Sequence, residues 1–307
     1  MEIFLNLVTN LFPLYLLIGA GFLVGRYVGL DKQTMANLVM YLCIPVVAFG
    51  FVADLELKPA YALLPVITFL IQLVIGYVML RVGKSVYGDA RANLLAMCTA
   101  MGNSGYFGLP LVLLLFEDRW VGVYMFMLLG FLLYEATVGY YIAARGKFTA
   151  RESLLKVVKF PSVYAISAGL LINFMDVPLP DLFKTYWTYF KGAYVILGML
   201  IIGAALSKLQ RLVLAPKFLS LVMLGKFVIW PLMAYGFILA DRAYFHMFEE
   251  PVLMLIMVVS LVPPAANIAA FTAQFDIVPE KAATTIMLTT VFALFYIPAI
   301  LVLTGMH

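Results

Sequence analysis

The chain has 307 residues, 65% of them hydrophobic and only 12% charged. A soluble domain is close to half apolar and a quarter charged, so this composition excludes a soluble enzyme and makes lipid the main solvent. The net charge of +4 is scattered over short connections, where basic residues report membrane orientation rather than nucleic-acid binding.

A spanning helix needs about 20 mostly apolar residues. On that measure the spans fall at roughly 4–26, 33–54, 59–81, 91–116, 120–144, 160–176, 189–207, 216–240, 250–275 and 280–304. The first carries Glu2 and no basic segment before its apolar run, which fits a retained helix and not a cleaved signal. The second contains Y-L-C-I-P, and Pro45 should kink it. The fourth reads M-G-N-S-G-Y-F-G-L-P, with Gly102, Asn103, Ser104, Gly105, Gly108 and Pro110 in close succession. Glycine and proline are poor helix formers, so this helix is expected to open between Gly102 and Pro110. The connection after the fifth span is the most basic, and its segment R-E-S-L-L-K-V-V-K-F can form a short amphipathic surface helix. The ninth span repeats the interruption as S-L-V-P-P-A-A-N, with Pro263, Pro264 and Asn267. Both cysteines, Cys43 and Cys98, lie inside apolar runs and form no metal-binding spacing. No cofactor or metal is expected.

Loops 1–2, 3–4, 5–6, 7–8 and 9–10 carry Arg26, Lys32, Arg81, Lys84, Arg91, Arg145, Lys147, Arg151, Lys156, Lys159, Lys208, Arg211, Lys217 and Lys281. The other side carries Lys58, Arg119, Lys184, Lys191 and Arg242. The positive-inside bias places the first set in the cytoplasm and both termini outside. The segment starting at Phe12 matches that starting at Phe160 at Phe12/Phe160, Pro13/Pro161, Ile18/Ile166, Ala20/Ala168 and Gly21/Gly169. These segments open the first and sixth spans. A repeat of five spans must sit inverted relative to its copy, a signature of secondary transporters. The expected fold is therefore an all-α polytopic membrane protein of ten helices. Residues 1–144 form one repeat, 145–159 a basic cytoplasmic linker and 160–307 the second repeat.

In such folds the substrate site lies where helices are broken in corresponding positions of the two halves. Open half-helix ends present unpaired amides and a positive dipole end, which suit a carboxylate. Asn103, Ser104, Gly105, Pro110, Pro263, Pro264 and Asn267 are the candidate substrate-binding residues. Two ionisable groups lie deep in spans, Glu135 and Lys226. Each is about ten residues from the cytoplasmic end of its span, hence ~15 Å deep. Intramembrane charges are functional candidates by default. These two could form a structural ion pair, or one could carry a proton or offset substrate charge.

With these motifs in hand, the chain resembles the auxin efflux carrier family, which includes plant PIN-type carriers and bacterial malonate and malate permeases. The most specific pieces are G-N-S-G-Y-F-G-L-P in span 4 and S-L-V-P-P-A-A-N-I-A-A-F-T-A-Q-F-D-I in span 9, supported by Y-L-C-I-P and L-G-M-L-I-I-G-A-A-L. The resemblance implies scaffold and transport domains, helices 4 and 9 crossing at the site, and elevator-like exchange of access. It gives Asn103 the role of a carboxylate contact; in span 9 the match is better at Pro263 than at Asn267. The long cytoplasmic loop of the plant carriers is absent, so neither its regulation nor auxin as substrate carries over.

The leading expectation is a secondary transporter of a small carboxylate in a bacterial inner membrane, with no enzyme activity. A sodium-coupled symporter of the bile-acid carrier type and a non-transporting membrane sensor remain alternatives, and a homodimer is compatible with the sequence. The basic asymmetry makes a direct prediction. Alkaline phosphatase fused after His307 should be active, and a reporter that works only in the cytoplasm should be silent there.

Overall fold

The computed structural model describes residues 2–144, 161–207, 212–275 and 277–304. The linker and its expected surface helix at 145–159 lie outside the described residues. The described chain is helical throughout. Helix α1 is Glu2–Tyr27, α2 Thr34–Ala53 and α3 Pro59–Tyr87. The fourth apolar run forms two helices, α4 at Arg91–Ala100 and α5 at Ser104–Leu115. Then come α6 at Asp118–Ala143, α7 at Pro161–Phe174, α8 at Asp181–Ser207 and α9 at Pro216–Phe245. The ninth run is again two helices, α10 at Glu250–Leu261 and α11 at Ile268–Phe275, before α12 at Pro279–Leu303. Six of these, α2, α3, α6, α8, α9 and α12, are long and apolar enough to cross a membrane, and four shorter apolar helices accompany them.

Three boundaries move outward by five residues or more from those read in the sequence. Helix α8 starts at Asp181 rather than 189, α3 continues to Tyr87 rather than 81, and α9 continues to Phe245 rather than 240. Apolar runs end at the edge of the hydrocarbon, whereas helical hydrogen bonding continues into the headgroup layer. Helix α3 stops where Gly88 takes a left-handed φ of 69° and its amide caps the Lys84 carbonyl.

Three of the prolines follow a widened turn. A wide i→i+5 turn at Val39–Cys43 precedes Pro45, one at Ser104–Gly108 precedes Pro110, and one at Gly225–Ile229 precedes Pro231. Proline has no N–H to donate and its ring presses on the carbonyl one turn back, so the turn before it expands. The opening in the fourth run is correspondingly narrower than expected. Only residues 101–103 leave the helix, and Pro110 sits inside α5.

The helices form two groups. Helix α1 lies along α8 with backbones in contact: Gly21 faces the Leu200 backbone, and Gly203 faces the Ile18 carbonyl. Helix α7 lies on α2. Gly169 faces the Phe49 carbonyl there, and Asn173 Nδ2 donates to the Val52, Ala53 and Leu55 carbonyls at 3.2, 3.0 and 2.7 Å. Trp187 Nε1 donates to the Val47 carbonyl at 3.2 Å and joins α8 to α2. The remaining helices form the second group, in which Thr68 Oγ1 of α3 donates to Met127 O of α6 at 3.1 Å. Asn93 Nδ2 of α4 reaches Ile142 O at 2.8 Å. Outward-facing side chains are apolar as well: Leu16, Leu232 and Phe295 are each more than half exposed. Scattered over the whole girth, such exposure fits contact with lipid.

Because Gly203 meets backbone, any larger side chain there should force α1 away from α8. Gly203→Leu should cost about 1–3 kcal/mol of stability, read as a lower thermal midpoint in detergent. Gly236→Leu, with no atom within 4 Å of its added Cβ, should leave the midpoint unchanged.

Candidate functional site

The two helix openings meet. Gly102 and Pro264 form an antiparallel backbone bridge, in which Asn103 N–H donates to Pro263 O at 2.7 Å and Ala265 N–H donates to Met101 O at 2.9 Å. An unpaired backbone group in a dry interior is costly, so the partners of the freed carbonyls matter. Thr99 O would have received the Asn103 amide in a continuous helix. It receives Trp230 Nε1–H at 2.8 Å instead. Ser104 O accepts from the Tyr124 hydroxyl at 2.8 Å, and Gly105 O from the Tyr194 hydroxyl at 2.7 Å. Asn103 O accepts the amides of Phe107 and Gly108. Three aromatic residues from α6, α8 and α9 thus hold the opening in shape. None stood out in the sequence, where a Tyr or Trp in an apolar run reads as ordinary core.

Beside the crossing lies a cavity of about 120 Å³, room for a molecule of several heavy atoms. Gly102, Asn103, Ser104, Gly105 and Tyr106 line it from the first opening, and Ala265, Ala266 and Asn267 from the second. Glu135 and five apolar residues of α6 add a third wall. Met40, Ile44 and Ala48 of α2, with Ser162 and Ile166 of α7, complete it. Of the sequence candidates, Asn103, Ser104, Gly105 and Asn267 reach the cavity. Pro263 and Pro264 act through backbone at the crossing, and Pro110 packs toward Gly198 of α8. Gly105 and Tyr106 begin α5 and have no carbonyl one turn behind them in that helix, so their amides sit at its electropositive end.

Glu135 and Lys226 take separate positions. Asn267 Nδ2–H donates to Glu135 Oε1 at 2.8 Å. Lys226 is 0% exposed, its Nζ has no hydrogen-bond partner among the described residues, and it lies 4.4 Å from the Trp230 ring centre. Its Nζ is also 3.1 Å from where a Cβ on Gly102 would sit. No ion pair joins the two among the described residues. The sequence placed them at similar depth, but rotation about the helix axes aims them at different neighbours. The Met40 and Ile44 contacts were invisible for a related reason: they are plain apolar residues that the wide turn ahead of Pro45 brings to the cavity.

The first half of the chain, through α6, also carries a family signature. Residues 6–146 match the membrane transport protein family, that of the auxin efflux carriers. The match takes in the first opening with Asn103 and the whole of α6 with Glu135. A relative over more of the chain is an uncharacterized transporter of Methanocaldococcus jannaschii, 24% identical over 275 residues, which are 86% of this chain and 87% of the relative. The chain is thus similar over its first half to membrane transport proteins and over most of its length to a protein named as a transporter, and its six long apolar helices fit a multi-pass membrane protein.

Trp230→Phe should leave Thr99 O without its donor at the end of α4. An unsatisfied buried carbonyl costs about 1–3 kcal/mol. The expected outcome is a lower thermal midpoint, together with loosened protection from hydrogen exchange in residues 99–105.

Proposed function

We propose that the protein is a secondary transporter that moves a small organic anion, a carboxylate, across the bacterial inner membrane by elevator-like alternating access. The observation that carries this reading is the crossing itself. Two helix openings, paired through Gly102 and Pro264, put Asn103, Ser104 and Asn267 around one cavity. Helix-end amides and side-chain amides there hold an anion without a permanent opposing charge, so the anion can also leave.

In this reading α4 with α5, and α10 with α11, each cross the membrane once, giving ten spans in two inverted five-helix repeats. The packing supports that arrangement. If span 1 corresponds to span 6 and span 2 to span 7, the contact of α1 with α8 has its counterpart in the contact of α7 with α2. Gly21 and Gly169, matched in sequence, make the two close approaches. The distribution of polarity supports the elevator reading. Asn103, Ser104, Glu135 and Asn267 all belong to the second helix group, whereas α2 and α7 offer Met40, Ile44, Ala48 and Ile166, with Ser162 as the exception. A polar cradle can slide along an apolar wall with little loss. Among the described residues, bonds that join the groups include Tyr194 to Gly105 at 2.7 Å, Tyr15 to Leu294 at 2.6 Å, and Lys191 to Asp118 at 2.6 Å, each of which can break and re-form. The positive-inside count adds periplasmic termini.

Counterflow in proteoliposomes with a panel of mono- and dicarboxylates tests transport. Within that assay Asn103→Ala should weaken the preferred substrate by roughly ten- to a hundredfold, since hydrogen bonds to charged groups are worth ~1.5–3 kcal/mol. Unchanged affinity in folded Asn103→Ala would move the carboxylate away from the crossing.

A further inference from the structure

Glu135 shares its cavity with the groups that would receive an anion. Its Oε1 is held by the Asn267 amide at 2.8 Å, and Asn103, Ser104 and Tyr106 line the same space. Helix α6 is widened at Glu135–Gly139, although it contains no proline. The wide turns of α2, α5 and the middle of α9 each precede one. A wide turn inside a helix without such a cause is a recurrent mark of functional sites. Tyr106 adds a further unused group: it is 6% exposed, lines the cavity, and its hydroxyl has no hydrogen-bond partner among the described residues.

A carboxylate in this cavity meets the Glu135 carboxylate within about 120 Å³. Two such groups confined together, away from bulk water, do not both stay ionised; they share a proton. The surrounding charges leave few other ways to relieve the repulsion. Tyr106 of α5 lines the same cavity as Glu135, and Tyr140 follows on α6 itself. Helices α2 and α7 present Met40, Ile44 and Ser162, and the second opening presents Asn267, none of them charged. From α9 comes Lys226, behind Gly102 and without an ion pair to Glu135.

We propose that Glu135 couples anion transport to protons: an entering carboxylate displaces Glu135 from the Asn267 amide, and Glu135 takes up one proton. This rests on the carboxylate site proposed above. The proton comes from the water that the cavity faces at that moment. Glu135 then donates its O–H to the bound carboxylate, and Asn267 turns its N–H to the same guest. On the other side the anion leaves, the proton dissociates to water, and Glu135 returns to Asn267. One monoanion and one proton cross together, so the cycle moves no net charge.

The test uses the purified full-length protein in weakly buffered detergent at neutral pH, with a pH-indicating dye. Benzoate, lactate, malate and malonate serve as probes, and calorimetry reports binding. Wild type should take up about one proton for each anion bound, and its affinity should fall roughly tenfold per pH unit on the alkaline side. Glu135→Gln should bind the same probe without proton uptake and with a flat pH dependence. Anion binding by wild type without proton uptake overturns the coupling and leaves the carboxylate site standing. So does uptake that survives in Glu135→Gln but disappears in Lys226→Met. If wild type binds none of the four probes, both readings fall. Should Glu135→Gln not fold, difference infrared spectra of wild type decide: a protonated carboxyl band must arise when the probe binds, and its absence refutes the proposal.

Discussion

Two short stretches of unwound backbone, 101–103 and 262–267, would be untenable alone in lipid, where no water satisfies a free amide or carbonyl. Each is tolerated because the other is present. The pair of hydrogen bonds between Asn103 and Pro263 and between Ala265 and Met101 commits the two halves of the chain to meet at one place. That place then dictates its surroundings. Trp230 arrives from another helix to occupy the Thr99 carbonyl that the opening leaves over, and Tyr124 and Tyr194 each add a donor to the Ser104 and Gly105 carbonyls, which also accept the Leu109 amide. The opening is therefore a supported structure.

The same constraint separates the molecule into parts with different tasks. Helices α1, α2, α7 and α8 hold together through glycines and backbone contact, a mode that works without any hydrophobic drive between helices. The rest of the chain is organised about the crossing and carries the cavity's charged and amide groups. The cavity wall contributed by the first part is mainly apolar, with Ser162 as the exception. In the proposed transport cycle, directional bonds would hold the guest to one side only, and motion between the two parts need not release it.

Glu135 and Lys226 illustrate how depth differs from proximity. The residues are comparably deep in their spans, and on a linear reading an ion pair between them is as good as two separate roles. In the folded chain Glu135 turns to Asn267, while Lys226 lies over Trp230 behind Gly102. Distance along a helix follows from counting residues at 1.5 Å each. Direction around the helix shifts wherever a turn widens, and both residues sit in widened turns.

Much of this protein can be read from its sequence because lipid imposes simple rules. Apolar runs of sufficient length mark helices, glycine and proline clusters mark where they open, and Asn103 and Asn267 stand beside those openings. The expected break from Gly102 to Pro110 was too long, because proline lacks only one hydrogen bond and a wide turn absorbs that loss. The sequence could not indicate which ordinary residues close the site. Tyr106, Tyr124, Tyr194, Trp230 and Ser162 resemble dozens of others in composition and spacing. Their roles depend on which carbonyl or cavity wall lies within about 3 Å of each polar atom, and that is decided only when helices distant in sequence pack together.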